Sequence, residues 1–188
     1  MKKLVLAATL FAAMFSQKAQ AQDYYHGIGA QALYGIYSAS FDGSSVSSAV
    51  LIPSIMYKAT LGFEISRDKS FAVSSYPSLG FNLNSQGGSS LGYQLPILAE
   101  LYLGDIDDKN FHFGLGFSYG AAAYEGDGGS VLGPIIGLGG QFEFQDNLIG
   151  IRGTYTLGLN KSEGYTALDG YSESRSMIGL GVYYLFGQ

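Results

Sequence analysis

The segment Val50–Ser66, VLIPSIMYKATLGFEIS, alternates with a period of two. Leu51, Pro53, Ile55, Tyr57, Ala59, Leu61, Phe63 and Ile65 fall on one face, and Ser54, Lys58, Thr60, Gly62, Glu64 and Ser66 on the other. A period of two is the signature of a strand with two unlike faces. The same pattern recurs until eight segments are counted: about Tyr25–Tyr37, Val50–Ser66, Phe71–Asn84, Leu91–Leu103, Phe111–Tyr124, Val131–Phe144, Leu148–Leu159 and Arg175–Phe186. The connections alternate in kind. RDKS, GDIDDKN and QDN are short and charged, whereas the others are Gly- and Ser-rich and mostly longer.

Which solvent the apolar face meets decides the fold. In a water-soluble barrel the apolar face would line the interior, and the other face would carry many charges. Here the second face is largely Gly, Ser, Thr, Asn and Gln, and only 13% of the chain is charged, against about 25% in soluble domains. No Asp, Glu, Lys or Arg falls on an apolar face in this register, where Arg or Lys at mid-bilayer would cost about 2–4 kcal/mol. Segments of roughly 12 residues exceed the soluble mean of about 5–6 and suit a tilted membrane crossing. The apolar face is therefore expected to meet lipid. Phe63, Phe71, Phe111, Phe144, Tyr184 and Phe186 would form a girdle on the short-turn side, and Phe81, Tyr93, Tyr119 and Tyr155 the opposite one. Backbone groups in lipid have no water to bond, so the sheet must close. Eight strands leave an interior that side chains can fill.

The expectation is an all-β, eight-stranded antiparallel transmembrane up-and-down barrel over residues 22–188, preceded by a cleaved signal peptide at residues 1–21. The N-terminal stretch has Lys2 and Lys3, an apolar run from Leu4 to Phe15 and an Ala19-Gln20-Ala21 cleavage pattern, and its run is too short for a membrane helix. Removing it takes away Lys2, Lys3 and Lys18 and leaves 7 basic against 15 acidic residues, a formal charge of −8. An acidic chain without a basic patch argues against nucleic-acid binding. The absence of cysteine excludes disulfides and a lipid-modified N-terminal cysteine.

These features, with the aromatic-rich final segment MIGLGVYYLFGQ, resemble the small eight-stranded outer-membrane barrel family, the OmpA/OmpX-like or "outer membrane protein beta-barrel domain" group. The resemblance implies an outer-membrane location with periplasmic termini. It also implies outer-membrane lipids as surroundings and the barrel-assembly machinery as a partner during biogenesis. The family holds adhesion-related, structural and channel members, so membership alone assigns no task.

The inward face carries the chemistry that the barrel can hide. Lys58, Glu64, Glu100, His112, Glu143 and Arg152 are expected to form an ionic cluster in the lumen, with all but Lys58 in the short-turn half. A tight QDN turn would set Arg152 across from Gln141 and diagonal to Glu143. Such a cluster is a structural plug, since buried charges must be paired wherever they occur, or a selectivity constriction. Gly114, Gly116, Gly120, Gly133, Gly137, Gly139, Gly179 and Gly181 should also face inward, among Tyr37, Tyr76, Tyr102 and Tyr183. Large rings over bare backbone would fill a narrow barrel.

Other motifs are weaker. GFSYG around Ser118 matches G-x-S-x-G, but it lies inside a strand segment and no histidine follows it. GLGFSYG and PIIGLGG lack the helix start that a phosphate loop needs. Asp105, Asp107 and Asp108 share a turn without the twelve-residue calcium-loop pattern. Two histidines on separate segments and no cysteine give no transition-metal set. No enzyme activity, cofactor or metal is expected. In the longest loop, Tyr165, Leu168 and Tyr171 are candidates to contact an extracellular partner or to anchor at the membrane surface.

Overall fold

The computed structural model describes residues 23–41, 44–83, 89–121, 130–159 and 172–186. Within them the chain is entirely strand and turn. Nine strands run in the order β1 (Asp23–Phe41), β2 (Ser44–Ser66), β3 (Lys69–Ser75), β4 (Ser78–Leu83), β5 (Ser89–Leu103), β6 (Asn110–Ala121), β7 (Ser130–Phe144), β8 (Asn147–Leu157) and β9 (Ser172–Phe186). Every neighbour pairs antiparallel, and β1 pairs with both β2 and β9, so the sheet closes.

Nine strands occupy eight places. β3 and β4 are the single segment expected at Phe71–Asn84, interrupted at Tyr76-Pro77. The registers Ser75↔Ala59 and Ser78↔Met56 are continuous across the break, so no side chain changes face. The cause is local, because proline has no N–H to give the ladder. β1 and β2 run for 19 and 23 residues, farther than the alternation of apolar residues indicated. Their extension is a serine-rich ribbon, with Ser38 Oγ 3.1 Å from Ser47 Oγ and Ser40 Oγ 2.7 Å from Ser172 Oγ. Polar side chains there leave the backbone ladder intact but erase the apolar signal.

The outward face is apolar around the whole ring. Ile97 is 63% exposed and Leu180 64%, and Ile55, Leu115, Phe117 and Leu138 are similarly bare. Water would not tolerate a continuous belt of this kind, whereas lipid requires it. Phe63–Phe71, Tyr184–Phe186 and His26–Phe186 ring contacts gather at the end that carries the chain termini, and Tyr93–Tyr119 lies toward the other. The two aromatic girdles read from the sequence thus have partners in the fold.

The inward face packs in layers. Leu33, Val50, Ile52, Val131 and Met177 form one cluster. Met56, Tyr76, Leu98, Ile135 and Tyr183 form the next. Tyr25, Ala72, Tyr102 and Ile106 form a third, at the end with the short turns. Ile106 comes from the turn between β5 and β6, and it folds inward over the bare backbone of Gly62. A side chain from a turn that reads as charged therefore helps to close the floor of the barrel.

Candidate functional site

Between the second and third apolar layers sits a charged group. Lys58 (β2) and Glu100 (β5) are 0% exposed, and Arg152 (β8) is 2% exposed. Glu100 is satisfied on both oxygens. Oε1 accepts from Arg152 Nη1 in a short ion pair. Oε2 accepts from the Tyr76 and Tyr102 hydroxyls, each at 3.0 Å. The Arg152 guanidinium lies over the Tyr76 ring, 3.7 Å from its centroid, so the cation also meets a π face.

The second cation has its own cage. Lys58 Nζ stands 4.7 Å from the Tyr183 ring centroid and 5.6 Å from that of Tyr102. An ammonium can only donate, so the Gln141 amide turns its oxygen toward it. In that orientation the Gln141 oxygen accepts from Lys58 Nζ at 2.8 Å and from the Tyr183 hydroxyl at 3.2 Å, and its nitrogen donates to the Ile106 carbonyl at 2.8 Å. The amide thereby ties the floor turn to the ionic layer. His112 completes the group. It stacks on Tyr102 at 4.6 Å, and its Nδ1 lies 3.1 Å from Asn110 Oδ1.

The sequence makes room for these side chains by pairing each with glycine. Glu100 stands opposite Gly114 and His112 opposite Gly139. Tyr183 stands opposite Gly150 and Gly29. A Cβ at Gly139 or Gly150 would overlap the His112 or Tyr183 ring.

Four of the six expected cluster residues are therefore together: Lys58, Glu100, His112 and Arg152. Glu64 and Glu143 are not. Glu64 is exposed and borders a pocket of about 250 Å³ at the short-turn mouth, with Asp23, Arg67, Asp105 and Asp107. Glu143 pairs with Lys109 at 3.0 Å, both half-exposed or more. The two glutamates have inward-facing parity but lie beyond the packed floor. The expected Arg152 register also changes. Phe144 pairs with Asn147, and only Gln145 and Asp146 turn the chain, at φ 49° and 61°. Two positive φ values are the type I′ hairpin turn. Setting Arg152 across from Gln141 would take four residues between Phe144 and Ile149; the two-residue turn moves its partner by two places, so Arg152 faces Gly139 and reaches across the lumen to Glu100.

Reasoning from sequence missed two contributions. Tyr76 and Tyr102 read as packing rings but are ligands of the Glu100 carboxylate. Arg175, near the long-loop end, pairs with Glu173, reaches the Ser130 carbonyl at 3.4 Å and lies 5.6 Å from the Tyr37 ring centroid. Inward parity for Arg175 follows from its strand, and counting outward from Met177 would have found it.

The weaker motifs have ordinary places. Ser118 lies mid-strand in β6, facing Pro96 and Gly133. In the 104–109 turn, Asn110 Nδ2 donates to the Asp105 and Asp108 carbonyls at 2.7 and 3.0 Å. Among the described residues no three acidic or histidine groups are arranged to hold a metal. Tyr165, Leu168 and Tyr171 lie outside the described residues.

A closed ladder of eight places, an apolar exterior and a side-chain-filled lumen decide the architecture. It is that of an eight-stranded antiparallel transmembrane β-barrel. No protein-family model matches the chain, and no curated protein does. Among solved structures it is similar to the attachment invasion locus protein Ail of Yersinia pestis, at 17% identity over 89% of this chain and 100% of that one, with a TM-score of 0.42. It is similar to Neisserial surface protein A at 15% identity, 84% and 96% coverage and a TM-score of 0.43. For OprG from Pseudomonas aeruginosa the values are 14% identity, 91% and 100% coverage and 0.42. The assignment of the fold rests on the ladder and the belt.

Proposed function

We propose that this chain is a non-enzymatic integral outer-membrane barrel whose lumen is a plug and whose work is structural or done at its exterior surface. The observation that supports this most is the Glu100–Arg152 pair. Both Glu100 oxygens are occupied, and the pair is sandwiched between two apolar layers. A conducting path would need water at this level. Water would compete for the Arg152 and Lys58 donors that here face tyrosine rings. The charges act as a cross-brace: no two of β2, β5 and β8 are neighbours in the ring, and the cluster joins them through the centre. Partner recognition then falls to the exterior, with Tyr165, Leu168 and Tyr171 as candidate contacts.

The second reading is a narrow channel for small or amphipathic solutes. It is favoured by the unmatched polar atoms of the layer, since Arg152 Nε and Nη2 and His112 Nε2 have no hydrogen-bond partner among the described residues. Solute flux into liposomes carrying the refolded protein separates the two. The plug predicts no flux for the wild type and leakage when Arg152→Ala opens the layer. Wild-type flux of a small sugar or amino acid would replace the plug with the channel.

A further inference from the structure

The pocket at the short-turn mouth has no part in the plug. Its volume of about 250 Å³ lies just below the range of drug-sized ligand sites, the scale of a smaller molecule. Its inner wall is the floor of the barrel. Ile106 Cδ1 lies over Gly62, where a Cβ would come within 2.5 Å of it, and the Tyr25 ring packs beside it. Acidic side chains rise around that apolar patch from two directions. Asp23 is the ladder partner of Gly62, and Glu64 follows Gly62 on the same face of β2. Asp105 and Asp107 flank Ile106 in the turn between β5 and β6. The Asp107, Asp23 and Asp105 carboxylates are all within electrostatic reach of the Tyr25 hydroxyl, so they converge on one space.

Four carboxylates against the one Arg67 guanidinium leave the lining with a formal charge of −3. Asp23, Glu64 and Asp105 form no ion pair among the described residues. Acids alone would make only a solvated rim, and the second feature is Ser70. It is the ladder partner of Glu64, is 4% exposed and borders the pocket. Its hydroxyl has no hydrogen-bond partner among the described residues, although buried polar groups normally have one. Side chains of ladder partners stand about 5 Å apart, so the Ser70 hydroxyl and the Glu64 carboxylate can accept from the same donor. No three of the acids are arranged to hold a metal ion among the described residues. The positive charge that suits them is therefore spread along a molecule. An ammonium has three N–H donors and no acceptor, which matches a carboxylate and a hydroxyl together. The apolar patch between the two acidic walls matches a methylene chain.

We propose that this pocket binds a linear aliphatic diamine or polyamine from the aqueous side of the floor. One ammonium donates to Glu64 and to Ser70 Oγ, with Asp23 beside it. The methylenes lie over Ile106, and the next ammonium meets Asp105 and Asp107. The site is on the wet side of the floor and stands whether or not the lumen conducts.

The test is a titration of the refolded, isotope-labelled barrel in zwitterionic micelles with 1,4-diaminobutane at low salt. It is followed by the NMR shifts of the Ser70 and Gly62 amides and the Ile106 methyl groups. Butylamine and magnesium run beside it at matched ionic strength. The diamine should saturate these signals with an affinity at least tenfold tighter than butylamine, because only the diamine meets both acidic walls. Glu64→Gln and Asp105→Asn should each weaken it about fivefold, the scale of one hydrogen bond, and Ser70→Ala about threefold. Asp146→Asn removes the same charge from the rim outside the pocket and should leave the affinity unchanged. Butylamine binding as tightly as the diamine, magnesium displacing it beyond the effect of ionic strength, or Asp146→Asn weakening it as much as Asp105→Asn would overturn the proposal. The rim would then be an acidic surface that attracts any cation. An absence of saturable shifts in the wild type would overturn it outright.

Discussion

Two ion pairs in this barrel use similar groups and differ in almost everything else. Glu100 and Arg152 meet in the centre of the lumen, sealed from water, with tyrosines filling the remaining valences. Lys109 and Glu143 meet at the short-turn rim, with side chains 62% and 50% exposed. Sequence spacing assigned Glu143 to the same cluster as Arg152, and only the floor between them separates the two. The contrast teaches that inward parity alone does not make a charge part of the lumen. Its height relative to the last packed layer does. Below the floor a pair is screened by water and contributes little. Above it, each charge depends on its partner, because losing one leaves the other desolvated and alone.

The largest expected effect follows from that dependence. Arg152→Ala should destabilise the barrel by about 3–5 kcal/mol, because Glu100 keeps its burial and loses its cation. Equilibrium unfolding in detergent micelles, or loss of the band shift between boiled and unboiled samples, measures it. Removing both charges should hurt less than the sum of the single changes. In a double-mutant cycle, Glu100→Gln with Arg152→Met should show a coupling of about 0.5–3 kcal/mol. A coupling near zero would mean that the two residues do not act as a pair. Gly150→Ala tests the room that glycine gives the cluster. Its Cβ would overlap the Tyr183 ring, and the forced repacking should cost about 1–3 kcal/mol by the same unfolding measurement.

At the rim the expected effects are small. Glu143→Ala should leave the unfolding midpoint within experimental scatter, with any difference vanishing in high salt. The hydrogen bond to Glu143, and then its charge, hold the Lys109 ammonium above the ordinary lysine range. A raised cation contributes fully below its unfolded value and loses that contribution as pH rises through its folded value. The rim pair should therefore loosen only in strongly alkaline solution. An NMR titration of the Lys109 ammonium should show an upward shift that Glu143→Ala abolishes.

Much of this was legible from the period-two pattern. Placing Leu51, Ile55 and Tyr57 outside and Lys58 inside needs only alternation, and the glycine-rich inward face already implied large side chains crossing a narrow lumen. What was not legible depended on turns and on proline. A β7–β8 turn two residues shorter than the Gln141 register requires moved Arg152 to Gly139, because each residue dropped from a hairpin loop shifts the pairing by one place. Ile106 sits in a turn dominated by aspartate, so no periodicity marked it as a floor. Pro77 left the faces unchanged but opened the ladder, and a pattern of faces does not register that. The serine ribbon of β1 and β2 has strand backbone without a strand's apolar signal, so the segments read short.

The central claim is that the floor separates a dry ionic layer from a wet rim, and lysine reactivity tests it directly. The folded protein in liposomes or micelles would be treated with a small water-soluble amine-acylating reagent, and modification of Lys58 and Lys109 followed by mass spectrometry over time. Lys109 should react at the rate of an exposed lysine, while Lys58 stays unmodified until the barrel is unfolded. Acylation of Lys58 in the folded barrel at a rate close to that of Lys109 would contradict the account, since it would put water at the level of Glu100 and Arg152.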